Sequence, residues 1–381
     1  MAVCTVVSLY PTRRDTTAPA ELEQVAGANE ASATRDNLPF FAQSWVSPSG
    51  HTPSAHCSTI ATLPSGDLLA LWYGGTREGA SDVAIYTSRL PKGGATWSSP
   101  VEVIDREAAE HELDRRIKKV GNTVVFPDEV GNLWMVFSTV SVGGWSGSAL
   151  NIKSSRDEGR TWGESQRLTL NHFLNLSSLV RNKPIYAEDG RVGLPVYHEM
   201  ATKFPQILWF RPGAEGTVED YKVRSLSSAS GLIQPSLVSL GEDRVLMILR
   251  DGTGQHAVHT ALSEDNGWTW TEARASNLPN PNAAMDAVRL DDGRILLVYN
   301  HSLDVRENLS LAISADNGQT WEHRAVLEEE SDREFSYPQV TKAEDGRIHI
   351  TYTWRRERIR HVAFNTAWLD REPGRRLAAH P

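Results

Sequence analysis

The sequence predicts an all-β protein built as a six-bladed β-propeller, and two repeated patterns carry this prediction. The first is a short turn of the form S-x-D-x-G-x-T-W, which occurs at 155–162, 263–270 and 314–321. The second is a longer repeat, a turn followed by an apolar strand, which recurs six times at intervals of roughly 50–65 residues. A period of this size, divided into four short strands, is typical of a propeller blade.

Each residue of the short turn has a physical reason to be there. The Asp side chain can accept hydrogen bonds from the backbone N–H groups that follow it. The Gly supplies a positive φ, the Thr is predicted to begin the next strand, and the Trp buries apolar surface behind the turn. An altered fourth copy, at 88–97, has two extra residues and lacks the Asp.

The longer repeat fixes the blade count and the limits of the domain. Its six copies lie at 65–73, 130–138, 189–197, 242–250, 292–300 and 345–353, and Asp243 replaces the turn glycine in one of them. We predict one propeller domain over 38–370, preceded by a flexible tail at 1–37 and followed by a polar tail at 371–381. The segment near 40–45 is predicted to add a strand to the last blade and so close the ring, which removes an exposed edge.

Composition excludes several function classes. The net charge of −9 over 381 residues argues against a nucleic-acid surface, and no apolar run is long enough to span a bilayer. The start lacks the basic region of a signal peptide, so we expect a cytoplasmic protein. The two cysteines, Cys4 and Cys57, are not expected to pair, and no metal or phosphate-binding motif occurs, so we predict no cofactor and no metal.

The three short turns resemble the Asp-boxes, or BNR repeats, of the sialidase (neuraminidase) superfamily, and this resemblance covers nearly the whole predicted propeller. It implies that Asp157, Asp265 and Asp316 are structural and lie at the outer edge of the blades. It also implies hydrolysis of a terminal acidic sugar at the channel mouth. Arginines would bind the sugar carboxylate, a tyrosine activated by a glutamate would be the nucleophile, and a further acidic residue would be the acid/base.

Several residues match the roles that the resemblance implies. Tyr337, at the start of the sixth blade, matches the nucleophile. Arg250 and Arg306 match two of the arginines, and two guanidiniums could fork onto one carboxylate. The acid/base falls in the loop after the first apolar strand, where Glu78 is the nearer match and Asp82 the alternative.

Two positions depart from the superfamily pattern. His56 stands where the first arginine is expected, and Gln234 stands where the activating glutamate is expected. A neutral histidine cannot form a bidentate clamp, although an imidazolium could supply charge at mildly acid pH. Glutamine can hydrogen-bond a phenol but cannot take its proton. These departures point to a substrate beyond common sialic acid, such as a related ulosonic or uronic acid.

Further polar residues end or open the predicted inner strands and have no superfamily counterpart. The candidate substrate-binding residues among them are Lys183, His198, Asn282, His301 and Arg355. Because strands stop at the channel mouth, we expect such side chains to form a polar pocket for a carbohydrate. Cys57 beside His56 is not expected to be a nucleophile, because neighbouring strand residues point to opposite faces.

Three functions remain open from the sequence. The first is a sialidase-like exo-glycoside hydrolase whose partner is an acidic carbohydrate or glycoconjugate. The second is a polysaccharide lyase, in which arginines neutralise a uronate while Tyr337 or a histidine (His56, His198 or His301) moves the proton. The third is a glycan-binding propeller without catalysis, which the loss of the glutamate at 234 favours. The sequence does not predict the oligomeric state.

Overall fold

Six antiparallel sheets surround a central channel, which confirms the predicted six-bladed propeller. This architecture is seen in a computed structural model that describes residues 22–23, 38–170, 175–200, 202–213, 216–371 and 375–376. We number the blades in chain order and call the channel-lining first strand of each blade its inner strand. No helix among these residues is long and apolar enough to cross a membrane.

The first three blades contain most of the N-terminal half of the chain. The strands of blade 1, from the channel outward, are Ser54–Thr62, Leu68–Gly75, Ala84–Leu90 and Val101–Ile104. Those of blade 2 are Lys119–Pro127, Leu133–Val140, Ser148–Ser155 and Gln166–Arg167. Blade 3 has an inner strand in two pieces, Ser178–Val180 and Ile185–Ala187, followed by Val192–Glu199, Lys203–Pro212 and Val218–Ser225.

The other three blades follow the same plan. Blade 4 consists of Leu232–Gly241, Arg244–Asp251, Ala257–Ser263 and Arg274–Pro279. Blade 5 consists of Asp286–Arg289, Ile295–Tyr299, Asn308–Ser314 and Glu322–Glu329. Blade 6 consists of Phe335–Lys342, Ile348–Trp354 and Arg358–Phe364, with Phe41–Trp45 as its outer strand. The described helices are short: Arg106–Glu112, Thr366–Leu369 and the 3₁₀ turns Trp145–Gly147 and Ser227–Ala229.

The ring closes as the sequence predicts. Phe41–Trp45 pairs antiparallel with the third strand of blade 6, with Phe41 opposite Phe364 and Trp45 opposite Arg360. Most of the predicted tails, 1–37 and 371–381, lies outside the described residues, so their flexibility stays a prediction. Two short pieces are described: Leu22–Glu23 pairs with blade 3, and Arg375–Arg376 runs parallel to the outer strand of blade 5.

The turn that opens each long repeat has a left-handed backbone in all six copies. The turn glycines at 66, 131, 190, 293 and 346 have φ between +77° and +87°, the region that favours glycine. Asp243 occupies the same position with φ +61°. Asp tolerates this conformation better than most residues, so the substitution preserves the turn.

The three short turns are closed by their own side chains. In the first, Asp157 accepts hydrogen bonds from the Thr161 backbone N–H (2.8 Å) and hydroxyl (2.6 Å), and Ser155 Oγ donates to Asp157 (2.7 Å). The prediction that the Thr begins a strand is wrong, because both of its donors are committed to the Asp and the next strand begins at Gln166. Trp162 packs into an apolar cluster shared by blades 1 and 2, and Trp270 and Trp321 pack between blades 3 and 4 and between blades 4 and 5, so each turn joins neighbouring blades.

Hydrogen bonds that involve at least one side chain link adjacent inner strands around the channel. They connect Ile60 N to Gln339 (2.7 Å), Val125 N to Thr59 (3.2 Å), Asn182 to Pro235 O (3.0 Å), Ser236 to Asp286 (2.7 Å) and Val340 N to Asp286 (3.0 Å). Because buried bonds of this kind hold each strand to the next, they fix the geometry of the residues at the channel mouth.

Candidate functional site

Three inner strands have a bulge with a left-handed residue at the same end of the channel. The pairing register of each with its neighbour shifts between His56 and Thr59, Ile233 and Ser236, and Ser336 and Gln339. The bulged residues, Cys57, Gln234 and Tyr337, have φ of +57°, +50° and +52°. A left-handed backbone costs a non-glycine residue about 1–2 kcal/mol, and such strain concentrates at functional sites. Bulges also redirect side chains, here toward the channel mouth.

Tyr337 lies at the centre of the resulting cluster. Its phenol oxygen accepts a hydrogen bond from Arg250 Nη1 at 3.2 Å, and its ring contacts the His56 ring with centroids 4.5 Å apart. The guanidinium carbons of Arg181 and Arg306 lie 5.4 and 5.7 Å from the Tyr337 ring centroid. Three guanidiniums therefore surround one phenol, an arrangement that stabilises negative charge on its oxygen or on a bound ligand.

Arg250 is held in place from two sides. Its Nη1 donates to Gln234 Oε1 (2.9 Å) and its Nε donates to Asn282 Oδ1 (2.7 Å). Burial opposes the charge, yet the nearby Tyr337 and Tyr197 phenols outweigh it and raise the pKa of Arg250. Arg250 is therefore a fixed cation.

Gln234 uses both ends of its amide within this cluster. Its oxygen accepts from Arg250, and its Nε2 donates to the Tyr197 phenol at 3.1 Å. The side chain is 3% exposed. An amide in this position orients Arg250, but it has no carboxylate that could take a proton from Tyr337.

A continuous belt of charges forms the other side of the site. Arg306 donates to the Asn282 carbonyl (2.7 Å) and lies 3.5 Å from Glu334. Glu334 also accepts from Arg356 Nε (2.6 Å), and Arg356 Nη1 donates to Glu78 (2.7 Å). Although burial opposes it, the hydrogen bond from Arg356 helps lower the pKa of Glu334, which therefore stays ionised.

His56 occupies the middle of this belt without joining it. The side chain is 1% exposed, and neither ring nitrogen has a hydrogen-bond partner among the described residues. Burial, followed by the charges of Arg356 and Arg306, holds the pKa of His56 well below its usual value. The imidazole is thus neutral, and it does not supply the charge expected of it at mildly acid pH.

Arg181 forms the floor of the site. It is 1% exposed and donates to the carbonyls of Ser58 (3.3 Å) and Pro338 (2.8 Å), so it bridges blades 1 and 6 from blade 3. No carboxylate pairs with it in the described part of the chain. The charges of the cluster add up to four guanidiniums (Arg181, Arg250, Arg306 and Arg356) against two carboxylates (Glu78 and Glu334), so the site favours an anion.

Two predicted residues have partners away from Tyr337. Lys183 donates to Asp286 (2.6 Å) and to the Ala287 carbonyl (2.7 Å). It lines a cavity of about 100 Å³ formed by the opposite ends of the inner strands. Asp82 closes its own loop, where hydrogen bonds from Thr76 hold the pKa of Asp82 below its usual value.

Three more predicted residues pack locally instead of entering the cluster. His198 stacks on Phe204 with ring centroids 5.0 Å apart. His301 hydrogen-bonds Tyr299 and lies 4.6 Å from the His323 ring, again between centroids. Arg355 pairs with Glu330 and covers the ring of its neighbour Trp354.

The structure therefore brings together seven of the predicted residues. They are His56, Glu78, Gln234, Arg250, Asn282, Arg306 and Tyr337. The residues that the sequence did not assign to the site are Arg181, Glu334 and Arg356. The available signals were weak: Arg181 stands two positions before Lys183, and Arg356 directly follows Arg355. Nothing local in the sequence says which cation of each pair faces the channel mouth.

Cys57 is not a nucleophile in this environment. Burial raises the pKa of its thiol to about 11, and its Sγ contacts Asn122 Oδ1 at 3.4 Å. Among the described residues, no group of three or more His, Cys, Asp or Glu side chains is placed to hold a metal ion.

The chain is similar to one family model and to several solved structures. The family model of the BNR repeat-like domain matches residues 66–350. Among solved structures, the Hadza microbial sialidase Hz136 is 20% identical, with a TM-score of 0.69 over 84% of this chain and 68% of its own. The intramolecular trans-sialidase from Ruminococcus gnavus is 14% identical, with a TM-score of 0.63 over 84% and 97%.

A third similar structure has no stated activity. A protein of unknown function from Dyadobacter fermentans is 15% identical, with a TM-score of 0.66 over 86% of this chain and all (100%) of its own. No curated protein sequence matches the chain. At these identities the solved structures establish the fold, and activity must be argued from the residues of this site.

Proposed function

The chain belongs to the BNR repeat-like family, and from this premise we propose that it is a sialidase-like exo-glycoside hydrolase. Its substrate would carry a terminal acidic sugar, either sialic acid or a related ulosonic or uronic acid. The observation that carries the proposal is the hydrogen bond from Arg250 to the Tyr337 phenol, within a cluster of four guanidiniums and two carboxylates. Such a cluster suits a ligand carboxylate beside a phenol nucleophile.

In the proposed reaction, Arg250 and Arg306 bind the sugar carboxylate and hold the anomeric carbon near Tyr337. The phenol oxygen attacks this carbon and its proton passes to solvent at the channel mouth, or the oxygen stabilises the positive charge on the carbon without losing its proton, while the bond to the leaving group breaks. Arg250, which already donates to the phenol oxygen, stabilises the charge that develops there. Glu78 is the candidate for proton transfer to the leaving group and from the incoming water.

A second candidate function is glycan binding without turnover. Gln234 replaces the activating carboxylate, and both ends of its amide are already bonded, to Arg250 and Tyr197. Arg250 is the one hydrogen-bond partner that the described residues give the Tyr337 phenol. A site of this kind can hold an acidic sugar even if no group takes the phenol proton.

A panel of aryl glycosides of sialic, other ulosonic and uronic acids tests the proposal. We expect the protein to release the aryl group from at least one of them, with a saturated sugar as the product. Tyr337→Phe should abolish this turnover while thermal unfolding stays unchanged. Tyr221→Phe is the matched control, since Tyr221 is exposed on the outer strand of blade 3 and bonds only the Thr169 carbonyl within the described residues.

Each other outcome points to a different function. Binding of an acidic sugar without any product would support the glycan-binding candidate instead. An unsaturated product that absorbs in the ultraviolet would indicate a lyase. Full activity in Tyr337→Phe would exclude Tyr337 as the nucleophile.

A further inference from the structure

Arg356 takes the place of the arginine that the first blade lacks. We propose that it is the third guanidinium for the ligand carboxylate, together with Arg250 and Arg306. This inference rests on the proposed function, because it assumes an acidic sugar as the ligand. It goes further by assigning a specificity residue, contributed by the end of blade 6, that neither the sequence resemblance nor the family match identifies.

The backbone places Arg356 next to position 56, where the superfamily pattern has an arginine and this chain has a histidine. The Ala55 N–H, one residue before His56, donates to the Arg356 carbonyl at 3.0 Å. Arg356 has φ +58°, so the chain turns sharply at the point where its side chain leaves the blade. His56 is shorter than an arginine, neutral and buried, and cannot itself reach a carboxylate with two parallel donors.

The side chain of Arg356 shares a partner with the second binding arginine. Glu334 lies 3.5 Å from Arg306 and accepts from Arg356 at 2.6 Å, so the two guanidiniums flank one carboxylate. A second carboxylate, Glu78, lies 2.7 Å from the far side of Arg356. These two contacts hold the planar guanidinium of Arg356 in one orientation. Binding a ligand therefore costs less side-chain conformational entropy.

Arg356 remains open to solvent, unlike the floor residue Arg181. Its side chain is 36% exposed, and Glu78 and Glu334 are 33% and 26% exposed. A ligand carboxylate that approaches from the solvent therefore shares the partly exposed Arg306 and Arg356 with Glu334, and Arg250, beyond Asn282, is the third guanidinium. Arg181 is fully buried and donates to main-chain carbonyls, so it contributes charge but not a direct contact.

The test compares a charged substrate with its neutral analogue. The 4-methylumbelliferyl glycoside of N-acetylneuraminic acid, or whichever acid of the panel the wild-type protein binds, is paired with its methyl ester. We expect Arg356→Gln to raise the KM for the acid by about tenfold or more, since a charge-assisted fork is lost. The KM for the ester should change less than about twofold, because the ester offers no anion to the guanidinium.

Matched controls separate charge recognition from folding. Arg347→Gln should leave both KM values unchanged, because Arg347 lies on the same blade with a side chain that is 37% exposed, and among the described residues its contacts, with Asp345 and the Phe40 ring, lie outside the cluster. Arg356→Lys keeps the charge but loses the fork, so we expect an intermediate rise in KM, and this variant carries the test if Arg356→Gln does not fold. His56→Arg in the Arg356→Gln background should recover part of the affinity for the acid.

The outcomes distinguish this inference from the proposed function. If the wild-type protein binds the acid and Arg356→Gln keeps its KM, the role of Arg356 is excluded while the acidic-sugar site stands. An equal rise in KM for acid and ester would also exclude it, since that result indicates a general structural defect. If no acid of the panel binds to the wild-type protein, both proposals fall together.

Discussion

The short repeat turns and the charged cluster at the channel mouth, here called the rim, both contain carboxylates but use them for opposite purposes. In the turns, each Asp is satisfied by its own neighbours, as Asp316 is by the Thr320 N–H (2.9 Å), the Thr320 hydroxyl (2.6 Å) and Ser314 Oγ (2.7 Å). At the rim, charged groups also find partners across blades, as Glu78 of blade 1 and Arg356 of blade 6 do. A side chain whose bonds are local stabilises the fold, whereas a cluster of like charges assembled from distant blades favours a ligand.

The largest expected effect is a loss of kcat/KM when Arg250 at the rim is replaced. Replacing Arg250 by Gln should lower kcat/KM for the acidic glycoside by about 100- to 1,000-fold, because it removes a donor to both the phenol oxygen and the ligand carboxylate. The free energy of unfolding should fall by only about 1–2 kcal/mol, since less repulsion among the guanidiniums offsets part of the lost hydrogen bonds to Gln234 and Asn282. Steady-state kinetics and urea unfolding measure the two quantities. A loss of stability that accounts for the loss of activity would contradict the functional reading of the rim.

The next effect comes from breaking a turn at Asp316. Asp316→Ala should destabilise the protein by about 2 kcal/mol, because the Thr320 donors lose a charged acceptor. The kcat/KM of the folded protein should stay within about twofold of wild type, because this turn lies outside the cluster. Asp304→Ala is the control for charge alone, since Asp304 is 77% exposed in a loop. A drop in kcat/KM without a change in stability would contradict the structural role of the turn.

A loss of stability of similar size is expected at low pH, and it comes from histidines next to the strand that closes the ring. Burial lowers the pKa of His349 to about 4, and the His349 ring bonds His361 (3.0 Å), which in turn bonds Ser44 of the closing strand (3.0 Å). Below the usual histidine pKa the unfolded chain takes up a proton that the folded chain does not. Stability present at pH 7 is therefore lost as the pH falls, by about 2 kcal/mol at pH 5 for this residue.

Urea unfolding at pH 7, 6 and 5 measures this loss. His349→Gln should weaken the dependence on pH, because the glutamine does not titrate in this range, while the buried His361, whose pKa is also held well below its usual value, accounts for the remainder. If the variant and the wild-type protein lose the same free energy between pH 7 and pH 5, another group is responsible.

The smallest effect isolates backbone conformation. Gly293 has φ +86°, and a Cβ at this position would meet only Arg289 Nη2, at 3.9 Å. Gly293→Ala should therefore cost about 1 kcal/mol through the left-handed backbone alone. Gly144, with φ −101° and open space around it, is the matched control, and Gly144→Ala should be neutral or slightly stabilising. Equal thermal unfolding of the two variants would contradict this account.

Most of the fold was predictable because its signals are local. A turn with a left-handed residue followed by an apolar strand can be recognised from nine residues of sequence, even where Asp243 replaces the glycine. The six-fold recurrence of this pattern then fixes the blade count. The Thr of the short turn was misassigned because its strand propensity lost to two hydrogen bonds with the Asp.

The candidate site was predictable only in part, because its partners are distant in sequence. Arg356 and Glu78 are separated by 278 positions and meet only because the ring closes. Lys183 was favoured over Arg181, yet Asp286, itself buried on another blade, draws the lysine to the far end of the channel. Which of two adjacent cations faces the mouth depends on bulges and cross-blade bonds that no single segment encodes.

The closing strand also decides how the molecule responds to force. Phe41 and Phe364 face each other at the end of the pair nearest to the two chain termini. A pull applied to the two strands at Phe41 and Phe364 therefore opens this pair one residue pair at a time, instead of shearing all its hydrogen bonds at once. The same arrangement means that the last blade can be completed only after synthesis has passed Phe364. The outer strand of blade 6 thus joins its blade late in synthesis and is held by a pairing that opens progressively from its Phe41 end.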